Sequence, residues 1–410
     1  MAELLYLCHR IPYPPNKGDK IRAFNWLRAL AGRHTVHLGA FVDDPDDWAY
    51  QETLARWCDQ IFLRPIDPRR AKLRSLSGWV RREALSFAYY RDRKMQAWID
   101  QLMHERDIDA VLVFSSTMAP YVCRHDGVRR IIDFVDVDSD KWAQYAAHAG
   151  APMRWVYARE AKTLAAGERR LARTFDASVF VSTAEADFFR RMAPDCSDRL
   201  HAIANGVDAD YFDPVADHPD PGQGGEARIV FTGAMDYGAN VDAVSWFVEH
   251  VFARVRAAVP EARFVIVGTR PTREVRALAE HEGVEVTGAV PDVRPYLAHA
   301  RVAVAPMRIA RGLQNKVLEA LAMSLAVVMT PQAAAGLEAG HDGACDVADT
   351  PEAFAAAVIA RLSSAPDDSV ERAARNYVLT HYAWSARFAE LDRLVVPART
   401  GGTSVSETRS

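Results

Sequence analysis

Residues 301–324, Arg-Val-Ala-Val-Ala-Pro-Met-Arg-Ile-Ala-Arg-Gly-Leu-Gln-Asn-Lys-Val-Leu-Glu-Ala-Leu-Ala-Met-Ser, read as a short apolar strand, a turn opening on Gly312 and an apolar helix carrying Lys316 and Glu319. A strand running straight into a helix is the repeating step of a parallel sheet, and it places the helix start at the carboxyl edge, where open α/β folds bind ligands. The unpaired N–H groups and positive end of that helix favour phosphate. Lys316 and Glu319 lie three apart and share one face, so the lysine is suited to a diphosphate and the carboxylate to ribose hydroxyls. A nucleotide-sugar fits both. Taken alone, the pair fits an exposed Lys/Glu couple on an ordinary amphipathic helix equally well.

The same alternation extends outward in both directions. Short β-rich runs at 4–8, 34–42, 60–66, 110–115, 130–135, 177–182 and 200–204 are separated by longer amphipathic segments. After a Pro- and Gly-rich stretch at 213–226, the pattern restarts with runs at 228–232, 263–268, 284–287, 301–306 and 326–330. Two βαβ series imply an α/β protein with two Rossmann-like, doubly wound parallel-sheet domains facing across a cleft. The expected boundaries are an N-terminal acceptor-side domain over 1–207, a linker over 208–227 and a C-terminal donor domain over 228–369. A long helix at 370–396 is expected to return to the first domain, followed by a disordered tail at 397–410.

Composition narrows the function. The chain has 410 residues, 49% hydrophobic and 25% charged, which suits two ordered domains. A formal net charge of −4 gives no overall drive toward nucleic acid, so an anion site must be local. Cys8, Cys58, Cys123, Cys196 and Cys345 show no paired spacing, arguing against a zinc site or disulfide framework and for a reducing, cytoplasmic setting. Neither an export signal nor a spanning segment is indicated. No histidine pattern of a zinc hydrolase, no nucleophile elbow at Ser115 and Ser116, and no dinucleotide fingerprint after residues 4–8 is present. One segment stands out: from Arg64 to Lys94 ten Lys/Arg face three Asp/Glu, with Leu73, Leu76, Trp79, Val80, Leu85, Phe87, Tyr89 and Tyr90 interspersed. It suits either peripheral contact with anionic lipid or a solvated crossover helix whose aromatics enter the core.

Several motifs, in order, resemble one family. Ile203-Ala-Asn-Gly-Val-Asp208, Val230-Phe-Thr-Gly233, Thr287-Gly-Ala-Val-Pro-Asp292 and Lys316-Val-Leu-Glu319 together resemble the retaining family-4 glycosyltransferases of GT-B architecture, over nearly the whole chain. The segments Arg10-Ile-Pro-Tyr-Pro-Pro-Asn-Lys-Gly-Asp-Lys-Ile-Arg22 and Ile131-Ile-Asp-Phe-Val-Asp-Val-Asp-Ser-Asp-Lys-Trp142 are similar to those of the sugar transferases associated with exosortase/PEP-CTERM exopolysaccharide loci. The resemblance implies a retaining transfer from a nucleoside-diphosphate sugar to a saccharide or lipid-linked saccharide, with no cofactor. The cysteine usage sets the expected location as cytoplasmic, and the membrane reading of residues 64–94 would make the enzyme peripheral on the inner face of the inner membrane. The resemblance places Glu319 on the ribose, Gly233 at the diphosphate and Val290 beside the base. The donor set is completed by Arg308, Gly312, Leu313, Gln314 and Asn315, and Gly18, Asp19 and Lys20 border the acceptor-side cleft. Such enzymes generally do without a carboxylate metal centre, so the run of Asp133, Asp136, Asp138 and Asp140 is read as helix capping rather than as a metal site.

The chain also departs from the family pattern. Arg311 stands where a glutamate near the donor sugar is usual, and Ala234 and Ala239 replace the basic residues of the phosphate loop. The expected compensation is that Arg308, Arg311 and Lys316 neutralise the leaving diphosphate, making Arg311, Lys316 and Glu319 the catalytic set. The rivals are a GT-B nucleotide-sugar 2-epimerase and a non-catalytic sugar-nucleotide-binding subunit of a polysaccharide assembly complex. The sugar, base and acceptor are not specified by these motifs.

Overall fold

The computed structural model describes residues 1–15, 18–222, 227–309, 313–340, 343–365 and 367–396. It divides into one unit of Met1–Ile203 plus the chain from Phe388, and a second of Ala204–Arg387.

In the first unit, β1 (Glu3–Cys8), β2 (Thr35–Val42), β3 (Gln60–Pro65), β4 (Ala110–Phe114), β5 (Arg129–Val135), β6 (Ala177–Phe180) and β7 (Leu200–Ala202) form a parallel sheet. Its order is β3-β2-β1-β4-β5-β6-β7. Central strands such as β1 and β4 are apolar and buried almost end to end, as expected where helices cover both faces. The chain reverses its direction of winding between β1 and β4, so their carboxyl ends flank the switch point of this sheet.

A buried charge network fixes the helix Gly18–Ala31 across the sheet. Arg22 and Asp133, both with fully buried side chains, pair at 2.7 Å, and Arg22 also donates to the Ile203 carbonyl at 2.8 Å. Trp26 Nε1 and the Val135 N–H donate to the same carboxylate at 2.8 and 3.1 Å. Every carboxylate oxygen is satisfied, which makes Asp133 structural. Removing it would strand the arginine charge at a cost of about 3–5 kcal/mol.

The second unit holds β8 (Arg228–Thr232), β9 (Arg263–Val267), β10 (Val284–Gly288), β11 (Val302–Ala305), β12 (Val327–Met329) and β13 (Cys345–Val347). All pair in parallel in the order β10-β9-β8-β11-β12-β13, so the reversal lies between β8 and β11. The strand β13 was not expected. Its three residues, Cys-Asp-Val, are too few to show a period and gain strand form only by pairing with β12.

Two expected boundaries shift. Residues 208–222 do not behave as a free linker: Arg375 donates to the carbonyls of Ala209 and Phe212 at 2.9 and 2.6 Å, while Ala209 and Phe212 are buried. The rest of the expected linker, apart from residue 227, and the tail 397–410 lie outside the described residues. The single C-terminal helix is instead two, Asp368–His381 and Trp384–Val395. The break occurs because the Tyr382 carbonyl accepts from the Val207 N–H at 2.8 Å and Ala383 bridges to Val207. The first of these helices packs on Asn315–Ala322, where Arg375 reaches the Ala322 carbonyl at 2.5 Å. The division between the units falls within the second, at Phe388.

Glycine makes the carboxyl edge of the second sheet possible. A Cβ on Gly268 would lie 1.6 Å from the Gly233 carbonyl oxygen, a backbone atom with no room to yield. A Cβ on Gly238 would meet nothing within 4 Å. We therefore expect Gly268→Ala to lose at least about 3 kcal/mol in urea unfolding or to fail to fold, while Gly238→Ala stays within about 1 kcal/mol of the parent. Equal stabilities would contradict this packing.

Candidate functional site

The loops after β8, β9 and β10 interlock at the carboxyl edge. Gly233 N–H donates to Val267, Met235 N–H to Thr269, and Gly268 N–H to Gly288, at 3.0, 2.8 and 3.3 Å. Gly288 has φ near +70°, a backbone conformation that glycine adopts without strain. On the other side of the switch point, buried Thr330 donates to the Met307 carbonyl at 2.6 Å, fixing the turn after β11.

Between these loops lies Lys316. Its ammonium donates to Asn240 Oδ1 at 2.5 Å and sits 4.4 Å above the ring of Phe231 in β8. Asn240 is itself buried and donates to the Ala234 carbonyl at 2.9 Å, so the amide is oriented before it meets the lysine. No carboxylate among the described residues forms an ion pair with Lys316, and burial holds its pKa down to about 7, with the charge of Glu319 opposing. Burial likewise pushes the Glu319 carboxyl up to about 7, with Lys316 opposing. Both side chains keep some exposed surface while being closely surrounded by protein. The helix Asn315–Ala322 starts without a side-chain cap bond from Gln314, whose carbonyl receives the Val317 N–H at 3.0 Å, and its positive end lies beside Lys316.

The other residues expected to bind the donor are placed as follows. Gly233 ends β8, and a Cβ there would press on Asn240 Nδ2 at 2.7 Å. Leu313 and Val290 are half-buried against the core, and Asn315 opens the helix. Arg308 is half exposed and is bonded to Asp242 of the helix Gly238–Trp246, with Nε to Oδ2 at 3.0 Å. Its charge is thus partly engaged. Arg311 and Gly312, expected to serve the diphosphate and the turn, lie outside the described residues. Asp292 caps the helix start after β10, receiving the Arg294 N–H at 2.9 Å. Gly206 of the Asn-Gly-Val-Asp element is more than a turn: a Cβ there would strike the Trp384 ring at 2.6 Å.

In the first unit, Gly18 begins its helix and Asp19 receives Arg10 at 2.6 Å, with His9 at 3.6 Å. Although burial acts to raise it, the hydrogen bond from His9 and the charge of Arg10 hold the Asp19 carboxyl well below the usual range. Lys20 departs from its expected place at an open edge. It is 2% exposed and its ammonium is bonded to Asp47 at 2.6 Å, because the first turn of the helix points that side chain inward. Asp133 of the acidic run is consumed by Arg22. Among the described residues no group of three or more His, Cys, Asp or Glu side chains is placed to hold a metal ion.

Three edge residues escaped sequence reasoning. Asn240 orients Lys316; Arg270, at positive φ after β9, pairs with Asp236 at 2.9 Å; and His9 stacks on Phe114 beside the other switch point. The available signal was position alone: Asn240 lies seven residues beyond the glycine that ends β8.

Residues 226–364 match the family model described as Glycosyl transferases group 1. The match falls within the second unit. No curated protein matches the chain by sequence. Solved structures that resemble it include sucrose-phosphate synthase from Thermosynechococcus elongatus, at 15% identity and TM-score 0.68, over 96% of this chain and 98% of that one. WaaG, a glycosyltransferase involved in lipopolysaccharide biosynthesis, aligns at 16% identity and TM-score 0.65, over 96% and 100% of the respective chains. HepE from Anabaena, solved in complex with UDP and glucose, aligns at 12% and 0.64, over 97% and 100%. At such identities the likeness establishes the GT-B fold, and the group 1 domain makes the chain a glycosyltransferase.

The pKa shifts at the centre of this domain have a definite sign. The unfolded chain binds more protons at Lys316 between about pH 7 and 10.5, so stability from that group rises with pH across that window. The folded chain binds more protons at Glu319 between about pH 4.5 and 7, so stability from that group falls as pH climbs to 7. The stability of the ligand-free protein relative to a Lys316→Met/Glu319→Gln variant is therefore expected to be lowest near neutrality, as read from urea midpoints at pH 5, 7 and 9. A pH-independent difference would contradict the assigned burial.

Proposed function

We propose that this glycosyltransferase is a retaining family-4 enzyme that moves a sugar from a nucleoside-diphosphate sugar to a hydroxyl of a saccharide, lipid-linked in exopolysaccharide assembly. The observation that carries the donor half is the placement of Lys316 at the switch point beside an uncapped helix start, with Glu319 one turn further on. The UDP and glucose bound by HepE support the same donor class. The exopolysaccharide and exosortase/PEP-CTERM association rests on the motif resemblance of the segments 10–22 and 131–142, and WaaG, involved in lipopolysaccharide biosynthesis, is a relative in fold with a role of similar kind.

In this reading Lys316 and the positive helix start take the diphosphate, Arg308 exchanges Asp242 for a phosphate oxygen, and Arg311 adds a further charge. Glu319 accepts from the ribose hydroxyls. The bond from the anomeric carbon to the diphosphate oxygen breaks as the acceptor oxygen bonds to the same face of that carbon. The acceptor's proton passes to the leaving diphosphate, which needs no separate protein base. Charge developing on the leaving group is met by cations already in place. The reaction proceeds without a metal ion.

A thermal-shift screen across UDP-, GDP-, ADP- and dTDP-sugars identifies the donor, because a bound donor stabilises by mass action. With that donor, Glu319→Ala is expected to raise its KM about tenfold or more, and Lys316→Met to lower kcat/KM by about a hundredfold, with both variants folded. Activity is expected to persist in EDTA, and the product to keep the anomeric configuration of the donor. Unchanged kinetics in both variants would remove the pair from the site.

A further inference from the structure

The helix Pro68–Ser75 and the turn of helix Ser77–Val80 that continues it are amphipathic in the wrong sense for water. Their small residues face inward: Ala71 is buried, and Gly78 is packed so that a Cβ would meet the Glu83 carbonyl and Leu85 at 3.2 Å. Arg74 also turns inward, donating to the carbonyls of Ala88 and Tyr89 at 3.3 and 2.5 Å. The large apolar side chains point out, with Leu73 71%, Leu76 56%, Trp79 48% and Val80 87% exposed. Burying alanine and glycine while exposing two leucines, a tryptophan and a valine costs hydrophobic free energy that a water-facing surface has no means to recover.

A second element extends the patch. Arg159 of the helix Met153–Thr174 lies 4.5 Å over the Trp79 ring and donates to the Gly78 carbonyl at 2.8 Å, while Glu160 receives the N–H groups of Leu85 and Ser86. One turn earlier on that helix, Trp155 is 74% exposed. The rim is basic: Arg69, Arg70, Lys72, Arg81 and Arg82 are all exposed, in a chain whose formal net charge is −4. The aromatics read from sequence as core candidates divide accordingly, since Phe87 is buried and Trp79 is not.

We propose that this face docks on an anionic lipid bilayer, with Leu73, Leu76, Val80 and Trp155 entering the headgroup boundary and the basic rim meeting lipid phosphates. Apolar side chains ringed by arginine and lysine match such a surface in both polarity and charge, and adjoining helix turns supply the apolar side. No helix among the described residues is long and apolar enough to cross a membrane, so the contact is peripheral. The proposal involves none of the donor-site residues and stands whether or not the acceptor assignment holds.

Flotation of the full chain with phosphatidylcholine vesicles, with or without about a third phosphatidylglycerol, tests it. The expected result is binding to the anionic vesicles that weakens with salt, and little to the zwitterionic ones. Leu73→Glu/Val80→Glu and, separately, Trp155→Glu are expected to lower the bound fraction about tenfold with unchanged melting temperature and unchanged transfer to a water-soluble acceptor. Arg69→Gln/Lys72→Gln is expected to reduce the preference for anionic vesicles. Absence of flotation with anionic vesicles, or flotation unaffected by the apolar variants, would overturn the proposal. So would light scattering that shows a dimer which those variants dissociate while vesicle binding is unchanged, since the face would then belong to a second copy.

Discussion

The bond from Lys316 to Asn240 is the contact around which the donor half of the molecule is organised. It spans the seam between β8 and β11, tying the helix that follows one strand to the helix that follows the other. An ammonium held over an aromatic ring and an amide, with no carboxylate at ion-pair distance among the described residues, is a costly arrangement in the absence of ligand. Such a charge is poised for an anion, which supplies the missing opposite charge on binding. The glycines at 233 and 268 allow the loops to come close enough for Asn240 to reach it. Arg375 fixes the far end of the same helix from the C-terminal segment.

The first unit contrasts with this. Its principal buried charge, Arg22, is matched by Asp133 and the Ile203 carbonyl, and the Trp26 indole donates to the same carboxylate. Lys20 is matched by Asp47 in the same way. Cations whose partners are built in hold an architecture together, whereas Lys316 has only neutral hydrogen-bond partners among the described residues. The distinction separates the structural basic residues Arg22 and Lys20 from the one on which the proposed donor site rests.

Strands buried on both faces were legible because their apolar runs need no partner to be recognised, as at Leu4 to Cys8. The common face of Lys316 and Glu319 was equally legible, being set by helical spacing alone. What sequence could not supply was pairing between distant segments. Asn240 becomes a site residue only because β8 and β11 are neighbours, and Lys20 is lost to the surface only because Asp47 folds beneath it. The break at Tyr382 and Ala383 depends on Val207 in the same manner. The basic segment between Arg64 and Lys94 was visible by composition. Which of its apolar residues face outward was decided by the inward fit of Ala71 and Gly78.

The central claim is that a nucleoside diphosphate supplies the charge Lys316 lacks, and its most direct test is proton uptake. Calorimetric titration at pH 8 with UDP, GDP, ADP and dTDP in turn, repeated in two buffers of different ionisation enthalpy, measures the protons taken up with the bound nucleotide. Because burial holds the Lys316 pKa down to about 7, the account predicts uptake approaching about one proton per nucleotide bound, reduced to near zero in Lys316→Met. Tight binding with no buffer dependence, or uptake unchanged in that variant, would contradict it.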